Sequence, residues 1–356
     1  MEQQRPGGHE GSGAEIPGAG HLRLLLIHAL CLLLTAGCAR DGSEQDPDAG
    51  HCCPACLCLP TPPPYHRQYV IGRIFSPTAL SPFAADLDGD GLTDNRFAAI
   101  ASLLESYGID TQSLLDRAVE RGELVPLLSI GSFDPNFLDD NRASLMLVFA
   151  KGGPQAADGG LPVFTIDPTS FPLGTGLMLA GGSGRTPSPT RTRNPPDGTL
   201  RVNRAFDPAS THHDVRMMGV DLTISLLPGR SFGEFHGSIL EIDLLPQLLP
   251  AIANQINTRI AGDPGTDDSI RLLKDFDVGV QAGPCTAPSR QPVAADGRID
   301  PCELANSPAA HHAFDPDVQL FGATGHYGPV PGGTQKDALS CGFGLWLTEA
   351  RFDESE

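Results

Sequence analysis

Seven short apolar segments between residues 124 and 240 place the strongest constraint on the fold of this chain. Turns rich in Gly, Pro and Asp separate them, as is typical of strands joined by hairpins and short loops. The segments are 124–130, 144–150, 161–166, 176–180, 199–203, 217–226 and 232–240, and 338–352 adds a last strand. The pattern predicts an antiparallel β-sandwich or a curled sheet.

Helical periodicity appears on both sides of this strand-rich part. Apolar residues at helical spacing follow Asn95 and stop at Gly108, and a second helix is expected from Asp110 or Thr111 to Gly122. Further helices are predicted near 244–276. The fold class is therefore α+β, with a small helical subdomain over 67–125 and a mainly β domain over 126–356.

An acidic segment directly before the first helix has the spacing of a calcium loop. Carboxylates stand at relative positions 1, 3, 5 and 9, and Gly91 stands at position 6, where the chain must turn sharply. The carboxylates belong to Asp86, Asp88, Asp90 and Asp94. With the backbone carbonyl of Leu92 at position 7, they form an all-oxygen ligand set for Ca²⁺.

The segment resembles the EF-hand and dockerin class of loops but differs from it at position 12. Phe97 stands where a complete EF-hand has a bidentate Glu, so the resemblance is to the shorter D-x-D-x-D-G-x-x-D form closed by Asp94. The resemblance implies a calcium ion with further ligands from water or a distant residue. The alternative is an Asp/Gly-rich surface turn that binds nothing.

A second acidic turn at 296–304 carries the other half of the EF-hand pattern. Its acidic residues, Asp296, Asp300 and Glu303, fall at positions 5, 9 and 12. Positions 1 and 3 are Pro292 and Ala294, which offer no side-chain ligand. Three interpretations stay open: a degenerate EF-like turn kept for its shape, a second metal site, or a Glu303 ligand shared with the first site.

The N-terminal region has the pattern of an export signal. Residues 24–36 form an apolar run too short for a membrane span, and Leu34-Thr35-Ala36-Gly37-Cys38 resembles a bacterial lipobox. We therefore expect a signal peptide over 1–37, lipidation of Cys38 and a Cys/Pro-rich tether over 38–66. Ordinary cleavage, giving a free secreted protein, is the alternative.

Cysteine usage agrees with an oxidising compartment. Seven of the nine cysteines follow Cys38, and outside the cytoplasm disulfides are their expected state. The C-x-x-C in 52–58 favours local disulfides over zinc. A disulfide between Cys285 and Cys302 would covalently close the loop that contains the second acidic turn.

The negative net charge of the chain limits the molecules that it can bind. Removing residues 1–37 deletes three acidic and two basic residues, so the net charge changes only from −19 to about −18. Such a surface repels nucleic acid and anionic lipid headgroups. Membrane attachment is therefore expected through the lipid anchor alone, in the bacterial cell envelope, with the outer membrane as the expected location.

The order of these motifs is similar to that of uncharacterised bacterial surface lipoproteins with EF-hand-like loops. The resemblance rests on the lipobox and on the segments 86–95, 296–304, 315–321 and 336–344. It implies a calcium-binding, membrane-anchored surface protein with a structural, adhesion or recognition role. A protein or polysaccharide partner is left open.

No catalytic motif stands out in the sequence. It has no nucleophile elbow, P-loop, H-E-x-x-H or dinucleotide fingerprint. Glu234 and His236, two apart on a predicted strand, are the best-placed acid–base pair, and a surface salt bridge is the simpler interpretation. The sequence favours a protein without catalysis; the alternative is an extracytoplasmic hydrolase or carbohydrate-active module with a dispersed site.

Overall fold

A computed structural model describes residues 62–78, 83–158, 160–167, 173–186, 200–203, 214–227, 230–280, 294–310, 312–323 and 327–352. The chain divides into two compact units, Met1–Pro60 and Thr61–Glu356, and every described residue belongs to the second. The predicted signal peptide, the lipidation site Cys38 and the 52–58 cysteine cluster lie outside the described residues.

The described residues contain twelve strands. They are β1 (Tyr65–Phe75), β2 (Pro126–Ser132), β3 (Asp140–Phe149), β4 (Ala156–Asp158), β5 (Leu161–Phe164), β6 (Leu173–Ala180), β7 (Ser183–Arg185), β8 (Leu200–Asn203), β9 (Asp214–Leu227), β10 (Arg230–Leu240), β11 (Ala338–Glu349) and β12 (Arg351–Phe352). The seven strands expected over 124–240 are present, with bounds that differ by a few residues, whereas the expected last strand, 338–352, is divided into β11 and β12, which belong to different sheets.

Eight of these strands form a closed antiparallel barrel. Their order is β10-β11-β1-β2-β3-β6-β7-β9, and β9 pairs back with β10 to close the ring. The fourteen-residue β9 also pairs through its first residues with β8. Strands β12, β5 and β4 form a separate small sheet. The α+β class and the antiparallel sheet are confirmed; the sheet closes on itself, which leaves no open edges in the ring, and does not form two stacked layers.

Strand β1 joins the two ranges that were expected to form separate parts. It begins at Tyr65, where the predicted tether ends, and pairs with β2 on one side and β11 on the other. The range 67–125 therefore contributes a strand to the same sheet as 126–356. The sequence did not predict this strand, because charged and polar residues fill its first half.

Apolar residues cover both faces of parts of the barrel wall. Inward-facing side chains such as Leu128, Leu145 and Leu222 form the main core. On the outside, Leu127 packs with Phe164 and Phe352 of the small sheet. This double coverage explains why β2 is buried along its whole length and lacks a polar face.

Helices pack on the barrel at several places. They are α1 (Arg96–Ser106), α2 (Thr111–Glu120), α3 (Glu241–Asp243), a π-helical turn (Leu244–Leu248), α4 (Leu249–Gly262), α5 (Asp267–Phe276) and α6 (Pro301–Asn306). Asp110 caps α2 by accepting from Ser113 N–H, and Thr266 caps α5 in the same way. Pro250 stands in the first turn of α4, which continues directly from the π-helical turn.

Candidate metal centre

The acidic segment 86–94 forms a loop with a fixed base. Ala85 and Asp94 pair as an antiparallel bridge, with Asp94 N–H donating to the Ala85 carbonyl at 2.8 Å. Gly89 and Gly91 have φ values of 79° and 88°, which side-chain-bearing residues rarely adopt. The glycine at position 6 therefore has the conformation expected of it.

The loop is attached to the barrel directly after its last carboxylate. The Asn95 side chain donates to the Gly342 carbonyl and accepts from Gly342 N–H, and it also donates to the Phe83 carbonyl. Arg96 N–H donates to Ser340 Oγ at 2.7 Å. Because Ser340 and Gly342 belong to β11, both the loop and the start of α1 are fixed to a barrel strand.

Three carboxylates converge inside the loop. One oxygen each of Asp86, Asp88 and Asp94 lies within 4.8 Å of the others. Asp88 is fully buried, at 0% exposure, whereas Asp86 is exposed and Asp94 lies between the two. The spacing in the sequence thus brings together three of the four predicted carboxylates.

Backbone N–H groups of the loop hold these carboxylates in place. Asp86 accepts from Gly89 N–H at 2.7 Å and from Gly91 N–H at 3.0 Å. Asp94 accepts from Leu87 N–H at 2.9 Å. The ligand oxygens are therefore oriented by the loop itself.

The fourth predicted carboxylate, Asp90, is placed differently from the other three. The Asp90 carboxylate is exposed and accepts from Leu92 N–H at 2.8 Å, and Asp90 is not part of the converging group. The backbone carbonyl of Leu92, the predicted ligand at position 7, stays a prediction. Asp90 would have to turn inward to reach an ion held by the other three carboxylates.

A lysine that the sequence did not single out contacts the group. Lys336 Nζ lies 2.8 Å from Asp88 Oδ2, and its pKa is raised, first by this hydrogen bond and then by the charges of Asp88, Asp90 and Asp94. The pair is separated by 248 residues, so local sequence patterns carry no signal for it.

The ammonium group of Lys336 does not neutralise all the carboxylates of the loop, so the site keeps excess negative charge. Burial raises the pKa of Asp94 to about 6, and repulsion from Asp317, Asp88 and Asp90 adds to the increase, while the hydrogen bond from Leu87 opposes it. Burial also raises the pKa of Asp317. Further positive charge would therefore stabilise the ionised carboxylates.

The donor set indicates the kind of ion that the residues fit. All three converging ligands are carboxylate oxygens, and hard divalent cations such as Ca²⁺ and Mg²⁺ prefer oxygen, whereas structural zinc sites prefer thiolate and imidazole. The group formed by Asp86, Asp88 and Asp94 can hold a metal ion of this kind.

The second acidic turn uses its carboxylates for helix capping. Asp300 accepts from Cys302 N–H at 2.8 Å, and Glu303 reaches back to accept from Asp300 N–H at 2.9 Å, which together make a capping box at α6. The other Glu303 oxygen accepts from Gly279 N–H at 2.9 Å. These contacts favour the interpretation as a turn kept for its shape.

The carboxylates of this turn are not brought together as a metal-ligand group among the described residues. Asp296 accepts from Arg298 N–H within the turn, and Glu303 is fully buried at 0% exposure. Cys302 is buried in α6, while Cys285 lies outside the described residues, so the proposed disulfide stays a prediction.

The Glu234–His236 pair lies on the outer side of β10. Their side chains are 3.9 Å apart, and His236 is buried with neither ring nitrogen hydrogen bonded within the described part of the chain. Burial lowers the pKa of His236, although Asp221 and Glu234 act in the opposite direction. The imidazole is covered, so the pair is more buried than the surface salt bridge that the sequence suggested.

Comparisons with protein families, with curated proteins and with solved structures find no match to this chain. The likeness to surface lipoproteins therefore rests on the sequence motifs alone. None of the helices in the described ranges is long and apolar enough to span a membrane.

Proposed function

We propose that this protein is a calcium-binding lipoprotein of the bacterial cell surface, in which the ion stabilises a surface used for adhesion or recognition. The observation that carries the proposal is the convergence of Asp86, Asp88 and Asp94 in a loop whose backbone already orients their oxygens. Ca²⁺ suits this site better than Mg²⁺, because it accepts irregular oxygen geometry and a variable number of waters.

In this proposal, the ion binds where two parts of the chain that are distant in sequence meet. Lys336 holds the loop through Asp88, and the Pro331 ring lies beside Gly89. Asp337, next to Lys336, accepts from Leu320 N–H and Phe321 N–H and so orders the segment that covers the outer face of β9 and β11. Calcium bound in the loop would compete with Lys336 for Asp88 and would weaken the Lys336–Asp88 ion pair.

Thermal unfolding tests whether an ion stabilises the fold. Without a bidentate twelfth ligand, the dissociation constant is expected in the weak range of extracellular modules, about 10⁻⁴–10⁻³ M. At ten times that concentration, Ca²⁺ adds about 1.4 kcal/mol to the free energy of unfolding and raises the melting temperature of the full-length chain. Equal melting temperatures in chelator and in millimolar Ca²⁺ would refute the proposal.

The anchor is tested separately by fractionation. Cys38→Ala is expected to move the protein from the membrane fraction to the soluble fraction, because the acylated cysteine supplies the attachment. Cys31→Ala, which removes another cysteine of the export signal, is the matched control and should leave the protein in the membrane fraction. A wild-type protein that is soluble and begins after Cys38 with a free amine would exclude the lipoprotein assignment.

A further inference from the structure

An apolar cavity of about 80 Å³ lies inside one end of the barrel. Strands supply most of its wall, with Ile71 from β1, Phe149 from β3 and Met217 from β9. Phe97 of α1 and Leu115 of α2 also line it. The interiors of folded proteins contain few voids larger than a water molecule, so a cavity of this size at the barrel end needs an explanation.

The wall of this cavity determines what can enter. No polar atom contributes to its surface. A water molecule inside the cavity would lose hydrogen bonds, and a carboxylate or ammonium group would lose its hydration without gaining a partner. Apolar cavities of this kind stay dry and bind apolar molecules. Charged and strongly polar ligands are thereby excluded.

One wall of the cavity is held more weakly than the others. Helix α2 buries only Thr111 and Leu115, whereas α1 buries five residues. Leu114, Ala118 and Val119 pack against the core but are only partly buried. The side-chain bonds from α2 to β1 are the half-exposed Arg73–Asp116 ion pair and the hydrogen bond from Gln112 to the Ile74 carbonyl. Local opening costs least where few apolar contacts hold an element, so α2 is the expected entrance.

We infer that the end of the barrel beneath α1 and α2 is a binding site for a small, uncharged apolar molecule. An eight-stranded barrel has an interior that side chains either fill or leave open for one small ligand, and here the large side chains leave part of it open. Engineered cavities of about 150 Å³ bind benzene or xenon, so the smaller cavity here fits a xenon atom or a short hydrocarbon.

Xenon is the probe for the experiment, because it fits the cavity and has no polar interactions. In the full-length protein, xenon is expected to shift the NMR signals of the methyl groups of Ile71, Leu115 and Met217 in a saturable way. Leu115→Phe fills the cavity and should weaken xenon binding at least about tenfold, equivalent to about 1.4 kcal/mol. Leu103→Phe, on α1 and outside the cavity wall, is the matched control and should leave binding unchanged.

A second variant that fills the cavity keeps the test valid if the first variant does not fold. If Leu115→Phe lowers the melting temperature, Ile239→Phe replaces it, since Ile239 reaches the cavity from β10. In addition, Phe149→Leu enlarges the cavity and should admit benzene at least about tenfold more tightly than the wild type does. No saturable xenon shifts in the wild type, or equal shifts in the filled variants, would overturn the inference.

Discussion

At the scale of single residues, the acidic loop depends on a balance between three carboxylates and one ammonium. Asp88 is fully buried, and the positive charge that contacts it is Lys336. A buried carboxylate without a cation is unstable, so either this lysine or a bound metal ion must accompany it.

Lys336→Met separates these two sources of charge. In chelator, the variant is expected to lose about 3 kcal/mol of unfolding free energy, because Asp88 is left without a cation. In millimolar Ca²⁺ most of this loss should be recovered, because the ion supplies the positive charge beside Asp88 without competition from the lysine. Urea denaturation in both buffers measures the difference.

Lys274→Met, at an exposed position of α5, is the control and should behave like the wild type in both buffers. A loss in Lys336→Met that is equal with and without Ca²⁺ would show that the ion and the lysine do not share Asp88.

The spacing of acidic residues identified Asp86, Asp88 and Asp94 without a structure, because ligands in a short loop must alternate around the turn at Gly91. It could not identify Lys336, since the contact depends on how the 331–338 segment packs on the barrel. Nor could it show that the Asp90 carboxylate is turned towards Leu92 N–H.

At the scale of elements, the half-motif at 296–304 shows how a metal-like pattern can serve another purpose. Glu at position 12 of an EF-hand and Glu at the third residue of a helix with a capping box have the same local sequence context. Here the two Glu303 oxygens accept from Asp300 N–H and Gly279 N–H, and α6 begins directly after Asp300. The structure thus gives this glutamate a capping role.

Glu303→Gln tests this role. A glutamine has one carbonyl oxygen and cannot accept from both N–H groups, so the variant should lose about 1–3 kcal/mol of unfolding free energy. Calcium stoichiometry should stay at one. Glu349→Gln at the end of β11 is the control, with an unchanged free energy, and a stoichiometry that falls from two to one in Glu303→Gln would contradict the capping interpretation.

The elements that the sequence predicted well are those with a clear apolar period. Helix α2 and its cap at Asp110 follow from spacing and a capping residue, and β9 and β10 follow from long apolar runs. Helix α6 has only six residues and starts with a proline, so it has too little periodic signal to be recognised. Strand β1 follows a proline-rich segment and begins with polar residues.

At the scale of the whole molecule, the sequence indicated an antiparallel sheet but could not distinguish a barrel from a sandwich. The distinction depends on which strands meet at the edges. Closure requires β9 to pair with β10, while β11, about a hundred residues later in the chain, pairs with both β10 and β1. The β10–β11 and β1–β11 pairings are non-local, unlike the β9–β10 hairpin, and they leave no mark in the alternation of any one strand.

The central claim is that the loop 86–94 binds one calcium ion. Calorimetric titration of the metal-free full-length chain with Ca²⁺ tests it most directly, with the Asp88→Ala, Asp90→Ala double variant and an Asp267→Asn control outside the loop. The expected result is one site with a dissociation constant of about 10⁻⁴–10⁻³ M in the wild type and the control, and no binding in the double variant. A wild type that binds no Ca²⁺, or a double variant that binds it with undiminished affinity, would contradict the claim.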